Sequence, residues 1–239
     1  MNPILCPLRN GIQLTKAAHR TFMAQDVQGG VELLYIDNAS EDGTAEWLKT
    51  TEAFTIRNGT PKSVAQSWNY GLGWWFNRGA EYVLVVNNDV ELLPSTYRRL
   101  LADGGDFVTA VSVGTKEQLV DSDPRGTRPH PDFSCYLIRR SVWEIVGPFD
   151  EQFKSAYNED SDYHVRLHKA GVFAHCIDVS FYHVASGTIK NSTLEEQKHI
   201  VKIASQNHEY FKQKWGVYSG TPEYYALFES QAPESLPPG

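Results

Sequence analysis

The first half of the chain alternates short apolar runs with longer segments in which apolar residues recur at helical spacing. The apolar runs cover residues 4–8, 31–36, 54–57 and 82–86, and helical spacing extends from residue 12 to about 27, around 45–48 and over 63–76. Strands separated by helix-sized segments predict β-α-β units. We therefore expect an α/β fold with a mostly parallel, twisted sheet and helices on both faces.

The second half continues this pattern less regularly. It predicts strands at residues 107–113, 133–138 and 172–177, and helices at about 94–102, 141–146, 159–170 and 194–215. Residues 114–132 are rich in Gly, Pro, Asp and Arg and predict a long loop. No linker divides the chain, so we expect one domain over residues 1–230 and a flexible tail at 231–239.

Two of the predicted strands end in clusters of polar residues. Residues 37–43 (Asp-Asn-Ala-Ser-Glu-Asp-Gly) follow the strand at 31–36, and residues 87–89 (Asn-Asn-Asp) follow the strand at 82–86. Ligands of parallel α/β sheets bind beyond the carboxyl ends of the strands. The two clusters should therefore converge on one site.

Asp89 is the first candidate for chemistry. A hard divalent cation prefers oxygen ligands and usually keeps phosphate oxygens in its shell, so a carboxylate at a strand end beside a nucleotide pocket suits this role. An ordinary turn is the alternative, because Asn and Asp are also common turn residues. The motif alone does not separate the two.

Asp37 leaves its strand where its carboxylate can accept hydrogen bonds from a ribose or a base edge. Ser40 and Asp42 lie just before the following helix, and capping of that helix is the better interpretation of both.

Three carboxylates, those of Glu159, Asp160 and Asp162, lie within four positions at the start of a predicted helix. The helix dipole favours negative charge there, which is a purely structural explanation. The functional alternative is a general base for a sugar hydroxyl, and mutual repulsion would raise the pKa of one carboxylate toward that role.

Histidines offer weaker signals. His183 follows the last predicted strand and has an imidazole that can bind a metal, although a lone histidine is more often packed or on the surface. Asp160, His164 and His168 recur every four residues on one helix face. The H-E-x-x-H pattern of zinc enzymes is absent, so we interpret that face as solvated.

Composition narrows the class of protein. The 239 residues carry a net charge of −7, which argues against a nucleic-acid binder but allows a nucleotide whose charge a bound cation balances. The three cysteines lie far apart and predict reduced, buried thiols. With no apolar stretch of roughly 18 residues and no signal peptide, we expect a soluble, cytoplasmic protein.

Together these segments resemble the family 2 glycosyltransferases of the GT-A fold, especially the rhamnosyltransferase-like branch. The resemblance covers about residues 4–216 and rests on four motifs in the family's order, at 36–44, 87–89, 147–162 and 211–216. It implies a single GT-A domain with a Rossmann-like nucleotide-binding half at about 1–93 and an acceptor half at about 94–216.

The resemblance also implies roles for the residues of the first half. Asp89 would bind the cation that bridges the donor diphosphate, with Asn88 beside it. The remaining donor- and nucleotide-binding positions would be Asp37, Asn38, Asn69 and the backbone of Pro7 and Leu8.

In the second half, the resemblance makes Asp160 the base that deprotonates the acceptor. Glu159 and Asp162 would position acceptor or donor groups, and His183 would be a second metal ligand.

The activity implied by the resemblance is an inverting, Mn²⁺- or Mg²⁺-dependent transfer of a single sugar. The donor would be a UDP- or dTDP-sugar, with rhamnose indicated by the branch, and the acceptor a hydroxyl of a glycan or glycoconjugate, as in polysaccharide biosynthesis. Membrane association would be peripheral and would come through the acceptor.

The chain departs from the family's pattern at two places. Residues 62–69 lack the Gly-rich stretch common before Asn69, and Asn87 replaces the first acid of the metal motif.

Two other functions stay open at this point. A nucleotidyltransferase would need a Gly-rich loop after the first strand, and residues 7–11 are poor in glycine. A non-catalytic sugar- or nucleotide-binding module would not need Asp89, Asp160 and His183, so the presence of all three argues against it.

Overall fold

The structure is a computed structural model that describes residues 1–121, 130–184 and 194–228. The middle of the predicted loop at 114–132 and the predicted tail at 231–239 lie outside the described residues. None of the described helices combines the length and apolarity that crossing a bilayer requires.

The described residues form one eight-stranded sheet. Its strands are Pro3–Leu8 (β1), Glu32–Asp37 (β2), Phe54–Arg57 (β3), Tyr82–Val86 (β4), Val90–Leu92 (β5), Phe107–Val113 (β6), Cys135–Arg139 (β7) and Ala174–His183 (β8). The strand order is β3-β2-β1-β4-β7-β6-β8-β5. Strands β3, β2, β1 and β4 are parallel, as are β6 and β8, whereas β7 and β5 run antiparallel to their neighbours. The expected mostly parallel α/β sheet is confirmed.

Helices cover both faces of the sheet. They are Ile12–Met23 (α1), Thr44–Leu48 (α2), Val64–Phe76 (α3), Thr96–Asp103 (α4), Arg140–Val146 (α5), Glu159–Lys169 (α6), Leu194–Trp215 (α7) and Pro222–Ala226 (α8). A short 3₁₀ helix, Lys116–Gln118, lies within the predicted loop.

Alternate side chains of each central strand enter two different cores. Ile4 and Cys6 of β1 pack with α1, α2 and α4 on one face, whereas Leu5 packs with α3, α5 and α6 on the other. Both faces of the sheet are thus buried, which explains why these strands are apolar at almost every position. The cysteines are free and buried, as expected.

A third, smaller core attaches the C-terminal helices to α6. It contains Phe153, Val165, Phe211 and Tyr224. His164 belongs to this packing: its ring stacks on Phe228 at 4.0 Å between centroids and its Nδ1 is 3.2 Å from the Tyr224 hydroxyl. The predicted solvated face is therefore wrong at His164, because Tyr224 of α8 and Phe228 just after that helix cover the ring. Burial and the neighbouring histidines lower the pKa of His164 to about 3.

One predicted strand needs correction, and one observed strand was not predicted. The last strand, predicted at 172–177, continues to His183, because Val179 and Phe181 point into the core while Asp178 stays at the surface in an ion pair with Arg99 at 2.6 Å. Strand β5 was not predicted: its three residues are too short to show a period, and they pair with the extended end of β8.

Helix α3 approaches β1 closely because of Gly71. A Cβ on Gly71 would lie 2.6 Å from Cδ2 of the buried Leu5, whereas a Cβ on Gly73 in the same helix would meet no heavy atom within 4 Å. The small residue at 71 therefore sets the distance between helix and sheet.

We expect Gly71→Ala to lower the free energy of unfolding by about 1–3 kcal/mol, because the added methyl group overpacks the core against Leu5. Gly73→Ala is the matched control and should raise it by about 0.5–1 kcal/mol through helix propensity alone. Urea unfolding of the two variants measures both effects. Equal stabilities would contradict this account of the packing.

Candidate active site

Asp37 is the last residue of β2 and is completely buried. One of its oxygens accepts a hydrogen bond from the Ser40 backbone N–H at 2.9 Å, and the other forms an ion pair with Arg57, its neighbour in the sheet register. Arg57 also donates to the Ser40 carbonyl at 2.8 Å. Asp37, the expected nucleoside-binding carboxylate, thus positions the half-exposed guanidinium of Arg57 at the edge of the sheet.

Arg57 is a functional candidate that sequence reasoning missed. It lines a cavity of about 320 Å³ with Asp37, Glu46, Lys49 and Thr55. An arginine at the end of an edge strand is an ordinary surface residue by sequence. Only the register opposite Asp37 identifies it.

The loop after β2 is fixed to the loop after β1. Oxygen atoms of Asp42 accept hydrogen bonds from the backbone N–H groups of Thr44 and Ile12, at 3.2 and 2.9 Å, at the starts of α2 and α1. Partial burial acts to raise the pKa of Asp42, but these hydrogen bonds hold it below its usual value. The Ser40 hydroxyl accepts from the Asn10 N–H at 2.8 Å. The N-cap position of α2 is Gly43, so Asp42 accepts from the first N–H of α2 from one residue before the cap. The predicted capping by Ser40 is wrong, because its hydroxyl bonds the loop after β1 instead.

Asn38 and the end of β1 lie in the same region. The Asn38 amide donates to the Ser67 hydroxyl at 2.9 Å, and its oxygen accepts from Asn58 at 2.8 Å. Its backbone N–H donates to the Leu8 carbonyl at 2.8 Å, so Leu8 and the preceding Pro7 border this loop.

An open cavity of about 390 Å³ lies beside this loop at the start of α3. Its lining residues are Ile36, Asn58, Lys62, Gln66, Ser67, Asn69, Tyr70 and Glu151. Asn69 borders the cavity but uses both ends of its amide internally. It donates to the Phe149 carbonyl at 2.9 Å and accepts from the Phe149 N–H at 2.7 Å. Its expected contact with the donor stays a prediction.

The Asn-Asn-Asp segment brings a carboxylate and an imidazole together. Asn88 is turned inward, where its amide donates to Thr15 at 3.0 Å and to the Asn10 carbonyl at 3.2 Å. Asp89, only 8% exposed, has its Oδ1 3.3 Å from His183 Nε2. The sheet register places Val90 opposite His183, which explains why residues far apart in sequence meet.

The electrostatics of His183 follow from this contact. Burial acts to lower its pKa, but the hydrogen bond and charge of Asp89, together with the charge of Asp132, raise it above its usual value. Within the described ranges, no group of three or more His, Cys, Asp or Glu side chains is arranged to hold a metal ion. One carboxylate and one imidazole fit a cation that takes its remaining ligands from a diphosphate and water.

Glu159 and Asp160 are the first two residues of helix α6, and their carboxyl groups are desolvated. Burial and then the charge of Asp160 raise the pKa of Glu159 well above its usual value, and its Oε2 has no hydrogen-bond partner in the described part of the chain. Burial also raises the pKa of Asp160, although the Ser161 N–H donates to its Oδ1 at 2.7 Å. Both carboxyl groups are poised to hold a proton at higher pH than a surface carboxylate.

Asp162 is separated from this pair. Its carboxylate is completely buried and accepts hydrogen bonds from Lys214 at 2.7 Å and from the Trp215 indole at 2.9 Å, both in α7. Burial acts to raise the pKa of Asp162 above its usual value, and these contacts and Arg166 oppose the rise. Its expected positioning role stays a prediction; its observed partners attach α6 to α7.

Asp132 connects the two halves of the site and was not identified from sequence. Its charge raises the pKa of both His183 and Asp160, so it lies within electrostatic reach of both. The Asn87 backbone N–H donates to the Ser134 carbonyl at 3.0 Å, which ties the segment after Asp132 to the Asn-Asn-Asp segment. The aspartate belongs to the segment predicted as a loop, where nothing in the sequence distinguishes it from a turn residue.

The profile of the family described as glycosyl transferase family 2 matches residues 4–166, more than half of the chain. No protein of curated function matches the sequence significantly.

Solved structures support the same fold. TarS from S. aureus has a TM-score of 0.59 at 14% identity, over 95% of this chain and 47% of TarS, so the chain spans about half the length of that protein. A shorter TarS, residues 1–349 in complex with UDP, has a TM-score of 0.55 at 15% identity over 90% of this chain and 74% of that one. The mannosyltransferase PcManGT from Pyrobaculum calidifontis, in complex with GDP-Man and Mn²⁺, has a TM-score of 0.57 at 16% identity over 95% and 79%. At these identities the likeness concerns the fold.

The raised pKa of Glu159 predicts a pH-dependent cost in stability. Below the usual glutamic acid pKa the group is protonated in both the folded and unfolded states, so it costs nothing. As the pH rises toward the raised folded pKa, the unfolded state ionises first and the folded state loses stability. Glu159→Gln should therefore stabilise the protein by about 1–3 kcal/mol at neutral pH and have little effect near about pH 4.

Thermal unfolding across this pH range measures the effect, with the exposed Glu52→Gln as the control that should change little at any pH. A stability gain independent of pH would contradict the assignment to Glu159.

Proposed function

The chain belongs to glycosyl transferase family 2, and from this premise we propose that it is an inverting, divalent-cation-dependent glycosyltransferase. It moves one sugar from a nucleoside-diphosphate sugar to a hydroxyl of a glycan or glycoconjugate, in the cytoplasm. The supporting observations are that the Asp89 carboxylate lies 3.3 Å from His183 Nε2 and that the charge of Asp132 acts on both His183 and Asp160.

The donor's nucleoside diphosphate would lie along the carboxyl ends of β1, β2 and β4. Asp37 and Asn38, with the backbone of Pro7 and Leu8, would line the nucleoside side, and Arg57 and Lys49, which line a cavity with Asp37, would supply positive charge. Structural neighbours are in complex with UDP, UDP-GlcNAc and GDP-Man. We propose a UDP- or dTDP-sugar as donor, with rhamnose as the first sugar to test.

Asp89 and His183 would hold a Mn²⁺ or Mg²⁺ ion together with the donor diphosphate. A bound cation of this kind would stabilise the charge of the leaving diphosphate. Asn88 contributes indirectly, because its inward hydrogen bonds to Thr15 and Asn10 fix the backbone from which Asp89 projects.

Asp160 would act as the general base. Its raised pKa suits proton transfer near neutral pH, where an ordinary aspartate is too weak a base. In a single in-line displacement, the acceptor oxygen bonds to the anomeric carbon, its proton passes to Asp160, and the bond from that carbon to the diphosphate oxygen breaks. Glu159 would help to place acceptor or donor groups.

We expect Asp160→Asn to lower transfer by at least about a thousandfold, since an amide cannot accept the proton. Donor binding should stay nearly unchanged, because Asp160 lies outside the donor contacts proposed above. Release of nucleoside diphosphate measures turnover, and calorimetric titration with UDP and Mn²⁺ measures binding. Asp106→Asn, an exposed carboxylate, is the control. Comparable turnover in the Asp160 variant would remove Asp160 from the role.

We expect Asp89→Ala to weaken Mn²⁺-dependent binding of UDP by roughly tenfold or more, because one charged ligand of the cation is lost. Titration of Mn²⁺ followed by electron paramagnetic resonance, with and without UDP, measures this loss. Asp26→Ala, on a carboxylate that is 75% exposed, should leave the titration unchanged. An unaltered Mn²⁺ titration in the Asp89 variant would refute the metal role.

A further inference from the structure

The loop at residues 154–158 leads into α6 with a backbone conformation that most side chains avoid. Ser155, Tyr157 and Asn158 have φ angles of 55°, 82° and 71°. Asparagine tolerates this left-handed region, but a tyrosine there is strained. Such strain persists only where surrounding contacts over-determine the conformation, and it is frequent at functional sites.

One side chain supplies most of those contacts. Asn207 lies in the middle of α7 and is only 3% exposed. Its amide nitrogen lies 2.8, 3.0 and 3.1 Å from the carbonyl oxygens of Lys154, Ala156 and Tyr157, to which it donates. Its oxygen accepts the Lys154 backbone N–H at 3.0 Å. A single buried amide therefore contacts four backbone groups of the loop, with its two N–H groups shared among three carbonyl oxygens.

The loop is also fixed at both sides. The Ser155 carbonyl accepts the Val64 backbone N–H at 2.8 Å, at the start of α3 beside the larger cavity. The Asn158 side-chain oxygen accepts the hydroxyl of Ser219. The loop thus connects the proposed donor half to the helix that carries Asp160.

This geometry keeps an aromatic ring exposed beside the acidic pair. Tyr157 is 42% exposed although it is two residues from the buried Glu159. Partial burial, and then the charge of Glu159, raise the pKa of the Tyr157 phenol. A large ring held in place at low entropic cost offers an apolar face, and its hydroxyl offers a hydrogen bond. Sugar rings, which have C–H faces edged by hydroxyls, match both.

We propose that Asn207 is a positioning residue that holds loop 154–158 in its strained conformation, and that the loop presents Tyr157 as the surface on which a sugar ring of the acceptor packs. The second part rests on the proposed function and assigns the acceptor to the saccharides. Asn207 lies outside the segment matched to the family profile, so α7 contributes a part of the site that the matched segment lacks.

The first test concerns the loop alone and needs no substrate. In Asn207→Ala, amide hydrogen exchange measured by mass spectrometry should rise at least about tenfold in peptides spanning 154–160 and stay unchanged in the β-strands. Gln206→Ala, on the exposed side of the same helix, is the matched control. Adding Ser155→Gly to Asn207→Ala should restore part of the protection, because glycine adopts the left-handed region freely. Unchanged exchange in the Asn207 variant would overturn its role.

The second test concerns the ring. Methyl glycosides of glucose, N-acetylglucosamine, galactose, mannose and rhamnose should show saturation transfer from the wild-type protein, with glycerol as a hydroxyl compound without a ring face. Tyr157→Asn tolerates the backbone angle but removes the ring, and should weaken glycoside binding by roughly tenfold. Tyr157→Phe should retain most of it. Equal binding by the Asn variant, or no glycoside bound by the wild type, would overturn the acceptor surface.

A turnover measurement separates this proposal from the proposed function. With a donor from which the wild type releases nucleoside diphosphate, Asn207→Ala and Tyr157→Asn should raise the KM for the glycoside, whereas Tyr157→Phe should keep it near the wild-type value. Absence of any release from UDP- and dTDP-sugars by the wild type would count against glycosyl transfer. The exchange and saturation-transfer results would still decide the roles of Asn207 and Tyr157.

Discussion

The organisation of the site depends on keeping several carboxylates in a low-dielectric region at the carboxyl ends of the strands. Desolvation penalises each charge, and Glu159 and Asp160 also repel one another. Buried charges are tolerated where hydrogen bonds or counter-charges compensate them. Here the compensation is uneven: Asp37 has Arg57 and a backbone N–H, whereas one oxygen of Glu159 has no partner in the described part of the chain. The uncompensated free-energy cost of burying a charge therefore falls on Glu159, next to the proposed base Asp160.

Hydrogen bonds tie the surrounding loops to neighbouring helices. Asn88 donates to Thr15 of α1, and Asn38 donates to Ser67 of α3. These contacts fix the loops around the carboxylates without adding further charge. The charged groups can then be held at functional separations by a framework of neutral hydrogen bonds, which is the physical basis of a pre-organised site.

The sequence predicted most strands of the sheet and the polar clusters at the ends of β2 and β4, because apolar runs and polar strand ends are local signals. Strand β3 and helix α7 were predicted at their observed boundaries. Asp132, Arg57 and the length of β8 were missed, because each depends on pairing between distant segments: Arg57 through its register with Asp37, β8 through its pairing with β5. His164 was misjudged for the same reason, since the covering Phe228 lies far along the chain. The predicted roles of Asn69 and Asp162 await measurement.

The contacts of Asp162 with Lys214 and Trp215 affect how far the chain can be shortened from its C-terminal side. A fragment cut at the end of the family match would retain a buried carboxylate whose remaining cation, Arg166, is 3.8 Å away. Removing one partner of a buried ion pair is strongly destabilising. A fragment that keeps Asp162 paired with Lys214 must therefore extend to the end of α7, well past residue 166, where the match to the family profile ends.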